Sequence, residues 1–186
     1  MMILTIETDR LLIRELSAED ENGLFELDSD PEVHRYLGNK PVKTREEIRA
    51  VILNIRQQYK DNGIGRWAVI EKSTGNFIGW TGLKFMKTPV NNHSDYYDLG
   101  YRFIKKYWGK GYATETALAS LKHGFETMHL SEIYAMTEVG NIASKNVLEK
   151  VGLYCMETFD YEGEEHYWLR ITKEQWLMKQ SKPFIS

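Results

Sequence analysis

The sequence predicts a single layered domain of the α/β (α+β) class. Two observations carry this prediction: helices and strands are mixed along the chain, and a run of strands in its middle is followed by helices that can serve as crossovers. With 186 residues, 42% of them hydrophobic, the chain is long enough to bury a sizeable core. We therefore expect residues 1–186 to form one domain.

The first half of the chain predicts strands and two helices. Consecutive apolar residues at 11–13 indicate an opening strand. Segments 17–20 and 44–47 each have a hydroxyl residue followed three positions later by an acidic residue, so a capped helix is expected to begin at each. The second helix continues with apolar residues at helical spacing and stops at Asn62-Gly63. Two more strands are expected at 66–72 and 76–86.

The clearest strand pattern lies at residues 96–104. Large apolar residues occupy the odd positions from 97 to 103, and polar residues or glycine occupy the even ones, as in a strand with one face buried. The remaining elements are expected to be a glycine-bearing loop at 107–111, a helix from about 112 to 127, a strand at 132–138, a short helix after Asn141, strands near 153–160 and 166–172, and a last helix from Thr172.

Composition argues against several classes of function. The net charge of −3 gives no general electrostatic attraction to DNA or RNA. The single cysteine, Cys155, excludes an internal disulfide, and the histidines lack ligand-like spacing, so no metal site is expected. No apolar run approaches the roughly 18 residues of a membrane span, and the first residues lack a basic signal-peptide start. We therefore expect a cytoplasmic protein without membrane or nucleic-acid partners.

The segment Trp108–Thr114 indicates a phosphate-binding loop. Its two glycines, Gly109 and Gly111, allow a tight turn and close approach of a ligand to the backbone. The helix expected after it begins with N–H groups that favour an anion. The segment lacks the Gly-Lys-Ser/Thr ending of a P-loop and the third glycine of a dinucleotide-binding motif. A strand-to-helix turn that needs glycine only for its geometry is the alternative.

A second segment, Asn141–Leu153, predicts a short capped helix. Asn141 can cap its start and Gly152 can end it. Ser144 lies one turn into this helix. Taken alone, its hydroxyl is more typical of a solvated side chain than of a catalytic group.

Together these segments resemble the GNAT superfamily of acetyl-CoA-dependent N-acetyltransferases, and within it the branch that acetylates the N-termini of ribosomal proteins. Residues 107–115 are similar to that branch's coenzyme A loop. Asn141-x-x-Ser144 followed by Leu148-Glu149-Lys150-x-Gly152 is similar to its second signature. Residues 7–14 and 29–37 are similar to its habitual start, so four segments in the right order cover most of residues 7–175.

The resemblance implies a mixed, mostly antiparallel sheet that splays apart where acetyl-CoA binds as co-substrate. Phe103 and Ile104 would pair with the pantetheine arm like an extra strand, and Asn141 and Ser144 would line the opposite wall. The pyrophosphate would be held by the backbone N–H groups of Gly109, Lys110, Gly111, Tyr112, Ala113 and Thr114.

The resemblance also suggests catalytic groups for the attack of an amine on the thioester. Many members of the superfamily have a tyrosine that protonates the leaving sulfur, but here that position is Leu148, so Ser144 is expected to take this role. A backbone N–H on the strand around Tyr101 to Phe103 would stabilise the oxyanion. Two carboxylates, Glu138 and Asp98, are the candidates for the general base. A structural or solvated role is the alternative for each carboxylate.

The acceptor implied by the resemblance is a primary amine, in first place a protein N-terminus. A polyamine or aminoglycoside is the alternative acceptor, and a non-catalytic acyl-CoA-binding module is the alternative class. The segments expected around the acceptor are rich in acidic residues, which suits a cationic partner, although solvated loop charges explain them equally well. The chain is expected to be a monomer or a homodimer.

Overall fold

The structure, a computed structural model, describes residues 5–181, which form five α-helices and one eight-stranded sheet. The strands are β1 (Thr5–Glu7), β2 (Leu11–Glu15), β3 (Trp67–Glu71), β4 (Phe77–Met86), β5 (Tyr96–Phe103), β6 (Glu132–Glu138), β7 (Tyr154–Tyr161) and β8 (Glu164–Thr172). The helices are α1 (Glu21–Asp28), α2 (Arg45–Asn62), α3 (Tyr112–Lys122), α4 (Ile142–Val151) and α5 (Lys173–Ser181).

Local capping explains where the helices begin and end. The Thr44 side chain accepts a hydrogen bond from the N–H of Glu47, and α2 ends at Gly63 with φ of +70°, so both predicted boundaries are confirmed. The segment predicted to start a helix at Ser17 first makes one turn of 3₁₀ helix at Ala18–Asp20 and then continues as α1.

Two elements of the structure differ from the prediction. The helix predicted from 112 to 127 is an α-helix only as far as Lys122, and His123–Thr127 form a wider π-helical turn. The strand β1, which pairs with β2, was not predicted, because its three residues are too few to show a period.

The sheet confirms the predicted mixed, mostly antiparallel arrangement. Its order is β1-β2-β3-β4-β5-β6-β8-β7, and every neighbouring pair is antiparallel except β5 and β6. These two strands are parallel and meet in register only at Asp98 and Tyr134. Beyond that pair they diverge, and a gap opens between the carboxyl ends of β5 and β6.

Successive side chains of β5 point to opposite faces of the sheet, and this sets the two sides of the gap. On one face Tyr101 contacts Ser144 of α4. On the other face Arg102 contacts Asp28, at the end of α1. Because side chains alternate along a strand, α4 lies on one side of the gap and the segment after α1 on the other.

Within residues 5–181 the structure shows neither a membrane-spanning helix nor a metal-binding cluster. No helix there is both long enough and apolar enough to cross a bilayer. In the same range, no three His, Cys, Asp or Glu side chains come together closely enough to hold a metal ion.

Candidate active site

The loop between β5 and α3 has the backbone conformation that its glycines predict. After one turn of 3₁₀ helix at Lys105–Tyr107, Gly109 and Gly111 adopt φ angles of +72° and +81°. Residues with a Cβ rarely adopt such left-handed angles. A Cβ on Gly109 would have no atom within 4 Å. In the free protein, glycine is therefore required here for backbone conformation rather than for space.

This loop and the first turn of α3 present six backbone N–H groups that donate to no acceptor within residues 5–181. Gly111 is the N-cap of α3 and has no side chain that could cap them. Free N–H groups at a helix N-terminus, together with the helix dipole, favour a phosphate. The arrangement therefore fits a pyrophosphate. The six residues are Gly109, Lys110, Gly111, Tyr112, Ala113 and Thr114.

Arg10, for which the sequence predicted no role, holds the glycine loop in place. Its Nη1 donates to the carbonyl of Lys110 (2.9 Å), and its Nε donates to Oε2 of Glu115 (2.7 Å). The guanidinium carbon also lies 4.4 Å from the centre of the Tyr112 ring. Arg10 thus ties the turn between β1 and β2 to the start of α3. It lies within the opening segment that resembles the family start, which was the only sign of it in the sequence.

A cleft of about 440 Å³ opens beside the start of α3. It extends the loop toward the carboxyl end of α4 and leaves room for the part of a ligand beyond its phosphates. Its lining comes from the β1–β2 turn, from one face of α3 and from α4: Thr8, Asp9, Gly111, Thr114, Glu115, Leu118 and Lys150.

Backbone groups of β5 face the gap. The N–H of Ile104 donates to the carbonyl of Ile78 in β4 (3.0 Å). Because ladder bonds alternate along an antiparallel strand, the N–H and C=O groups of Tyr101 and Phe103 point toward the gap. The Phe103 carbonyl accepts a hydrogen bond from the Trp108 indole (2.7 Å). This corrects the expectation for Ile104, whose N–H is held by the sheet. The N–H and C=O groups of Tyr101 and the N–H of Phe103 are left to meet an extra strand.

Ser144 lies at the start of α4, against Tyr101. Asn141 caps this helix by accepting a hydrogen bond from the N–H of Ser144 (3.2 Å). The Tyr101 hydroxyl donates to the Ser144 carbonyl (3.0 Å) and lies 3.2 Å from Ser144 Oγ. Burial raises the pKa of Tyr101 to about 12, so its hydroxyl keeps its proton at neutral pH. Sequence reasoning missed Tyr101 as a functional side chain, although the alternation of β5 places it on the face of Leu99 and Phe103.

The two carboxylates considered as bases have different surroundings. Asp98 forms an ion pair with Arg66, and the two side chains are only 13% and 12% exposed. Burial raises the pKa of Asp98 although Arg66 opposes the rise. Asp98 lies on the face of β5 opposite to α4 and is already paired.

Glu138 is half-buried at the end of β6. A Cβ on Gly140 would lie 3.3 Å from Glu138 Oε1 and 3.1 Å from Cε1 of Tyr36, so Glu138 lies at the mouth of the gap.

Comparison with known proteins agrees with this geometry. Residues 10–154 match the family model described as "Acetyltransferase (GNAT) domain". The FsC-acetyl coenzyme A-N(2)-transacetylase of Aspergillus fumigatus is 33% identical over an alignment of 196 positions, gaps included, which covers 98% of this chain and 81% of that protein. YdaF of Bacillus subtilis, whose name assigns it provisionally to ribosomal N-acetylation, is 26% identical over 149 residues, or 77% of this chain and 78% of YdaF.

A solved structure shows the same architecture. The crystal structure of a GNAT-family acetyltransferase from Bacillus anthracis has a TM-score of 0.76 and 29% sequence identity, and the match covers 92% of this chain and 99% of that one. The family model spans the glycine loop, the gap and Ser144. The chain belongs to the GNAT acetyltransferase family and is an acetyl-CoA-dependent N-acetyltransferase.

Proposed function

We propose that this enzyme acetylates the N-terminal α-amino group of a basic polypeptide, such as a ribosomal protein. The observation that carries the proposal is the negative charge beside the mouth of the gap. The β7–β8 hairpin has five acidic residues and no lysine or arginine between Tyr154 and His166. It adjoins the end of β6, where the N–H of Val139 donates to the carbonyl of Glu165 (2.9 Å). Negative charge at this position attracts a cationic acceptor.

These carboxylates are available to a partner. All five residues are exposed, and none forms an ion pair with another side chain of residues 5–181. The provisional name of YdaF supports the same class of acceptor. The residues are Glu157, Asp160, Glu162, Glu164 and Glu165.

A small-molecule amine is the second candidate acceptor. The observation that favours it is the match to the Aspergillus fumigatus transacetylase, which covers almost the whole chain and whose name specifies transfer to N(2) of FsC. A small cationic amine would be attracted by the same carboxylates. The two candidates therefore differ in the size of the acceptor rather than in its charge.

The residues at the gap support direct attack in a ternary complex. Acetyl-CoA supplies the acetyl group as a thioester. The N–H groups of Tyr101 and Phe103 point toward the gap and can stabilise the oxyanion that develops on the carbonyl. Ser144 Oγ, with the Tyr101 hydroxyl 3.2 Å away, can protonate the departing sulfur. No residue need become acetylated in this scheme.

Thiol release from acetyl-CoA in the presence of an amine panel tests the acceptor. The panel contains a basic peptide with a free N-terminus, the same peptide with its N-terminus blocked, a neutral peptide and spermidine. We expect turnover of the free basic peptide with the highest kcat/KM, and none of the blocked one, because only the α-amine reaches the gap. Turnover of spermidine alone would contradict the proposal and favour the small-amine candidate.

A matched variant tests the role of the hairpin charge. The double substitution Glu164→Gln and Glu165→Gln removes two charges and keeps similar shapes. We expect it to raise KM for the basic peptide several-fold and to leave KM for acetyl-CoA unchanged. Added salt should weaken the wild-type preference in the same way, since exposed charges are screened.

A further inference from the structure

His34, in the segment between α1 and α2, is a buried histidine whose ring has no hydrogen-bond partner. About 9% of its side chain is exposed, and its Nε2 lies 3.5 Å from Oδ1 of Asp28. Neither ring nitrogen makes a hydrogen bond within residues 5–181. Buried polar atoms nearly always have a partner. Nδ1, which has no carboxylate beside it, is therefore left as an unpartnered polar atom in the interior.

The segment that carries His34 covers the gap on the face opposite to α4. Asp28 accepts a hydrogen bond from Nη1 of Arg102 in β5 (2.5 Å). The ring of Tyr36 packs against the turn at Gly140, just after β6. Residues 28–36 therefore reach from one strand of the gap to the end of the other. His34, beside Asp28 and two residues before Tyr36, therefore lies on the face of the sheet opposite to α4.

Asp28 determines which ring nitrogen of His34 carries the proton. Burial alone would raise the pKa of Asp28, but the neighbouring His34 ring and the charge of Arg102 outweigh burial and hold this pKa below its ordinary value. An ionised carboxylate only accepts hydrogen bonds. It therefore favours the tautomer with hydrogen on Nε2, which leaves a lone pair on Nδ1. An imidazole backed by a carboxylate in this way is suited to accept a proton.

We propose that Nδ1 of His34 takes the proton from the acceptor amine, an inference that rests on the proposed amine N-acetylation. The lone pair of the amine forms the C–N bond to the acetyl carbon, and the electron pair of the C–S bond leaves with the sulfur. His34 accepts the proton lost by the nitrogen, and the hydroxyls of Ser144 and Tyr101 supply the proton gained by the sulfur. Solvent then removes one proton from His34 and returns one to the hydroxyls.

The charges around His34 are consistent with this role. Asp28 faces it from α1, and Arg102 reaches the same carboxylate from β5 while lying 5.1 Å from the Trp80 ring. Arg35, on the same segment, lies over the Tyr36 ring at 5.4 Å. Asp28 thus stabilises the imidazolium that forms, and Arg102 keeps Asp28 ionised in the buried site. Glu138, beyond the Tyr36 ring, is the competing base.

The test compares His34→Gln with Glu138→Gln in acetyl transfer to the best amine of the panel. The side-chain N–H of glutamine can keep the contact with Asp28 but cannot accept the proton in place of Nδ1. We expect His34→Gln to lower kcat about a hundredfold and to leave the Kd for acetyl-CoA unchanged. The limb of the kcat–pH profile that falls toward acid should disappear in this variant and persist in Glu138→Gln.

The kcat–pH profile is measured with two amines of different basicity. A limb caused by ionisation of the enzyme stays at the same pH when the amine is changed, whereas a limb caused by ionisation of the amine moves. Thermal unfolding of each variant detects a merely structural effect. The proposal is overturned if His34→Gln retains kcat within twofold of wild type, or if Glu138→Gln is the variant that loses the acid limb. Failure of the wild type to acetylate any amine would instead refute the proposed function.

Discussion

Gly109→Val is expected to raise the Kd for acetyl-CoA at least a hundredfold, a loss of about 2.7 kcal/mol. Gly109 has φ of +72°, which a β-branched residue strongly disfavours. The loop would therefore rotate to a negative φ and turn its amides away from the pyrophosphate. Because we propose these N–H groups as the phosphate contacts, the affinity for acetyl-CoA should fall more than the stability of the fold. Isothermal titration calorimetry measures the change directly.

Gly75→Val is the matched control for this substitution. Gly75 lies in the turn between β3 and β4 with φ of +71°, and a Cβ there, as at Gly109, would have no atom within 4 Å. The two variants therefore share the same backbone strain, but only one of them alters the loop. Equal affinity for acetyl-CoA in Gly109→Val and Gly75→Val would refute the assignment of the loop.

Ser144→Ala is expected to lower kcat about a hundredfold while the Kd for acetyl-CoA stays within twofold of wild type. The hydroxyl lies at the gap beside Tyr101, where we propose that it protonates the departing sulfur. Tyr101→Phe should lower kcat by a similar factor, because each change breaks the same pair of hydroxyls. Steady-state kinetics with saturating amine, together with calorimetric binding of acetyl-CoA, separates these two quantities.

The double variant and a control complete this experiment. If the two hydroxyls act as one unit, Ser144→Ala combined with Tyr101→Phe should be little slower than either single variant. Ser120→Ala removes a buried hydroxyl of α3 that bonds to the Thr116 carbonyl, so it should lower stability by about 1 kcal/mol and leave kcat unchanged. A wild-type kcat in Ser144→Ala would show that Ser144 has only a structural role in α4.

Most secondary structure could be predicted because its signals are local. The capping box at Thr44 and Glu47 and the stop at Gly63 mark α2, and strict alternation marks β5. The turn at His123–Thr127 could not be predicted, since a spacing of apolar residues does not distinguish an α-helix from a π-helical turn at its end.

The candidate site was predictable only where its residues are neighbours in sequence. The glycine loop and the start of α3 are contiguous, so their N–H groups could be assigned together. Arg10 reaches Glu115 from 105 positions away, and Asp98 meets Arg66, 32 positions away. Neither pairing leaves a pattern in a single sequence. For the same reason His34 showed no sign of its position, because Asp28 is brought to the gap by Arg102, 74 positions away.

Titration of the wild-type protein with acetyl-CoA in a calorimeter tests the central claim most directly, with NAD and ATP titrated as controls. The free amides of the glycine loop and the gap between β5 and β6 predict saturable binding of one acetyl-CoA per chain, and no comparable binding of either control. The same titration of Gly109→Val should lose most of the signal. Absence of acetyl-CoA binding to the folded wild type would contradict the assignment of the site and the mechanism built on it.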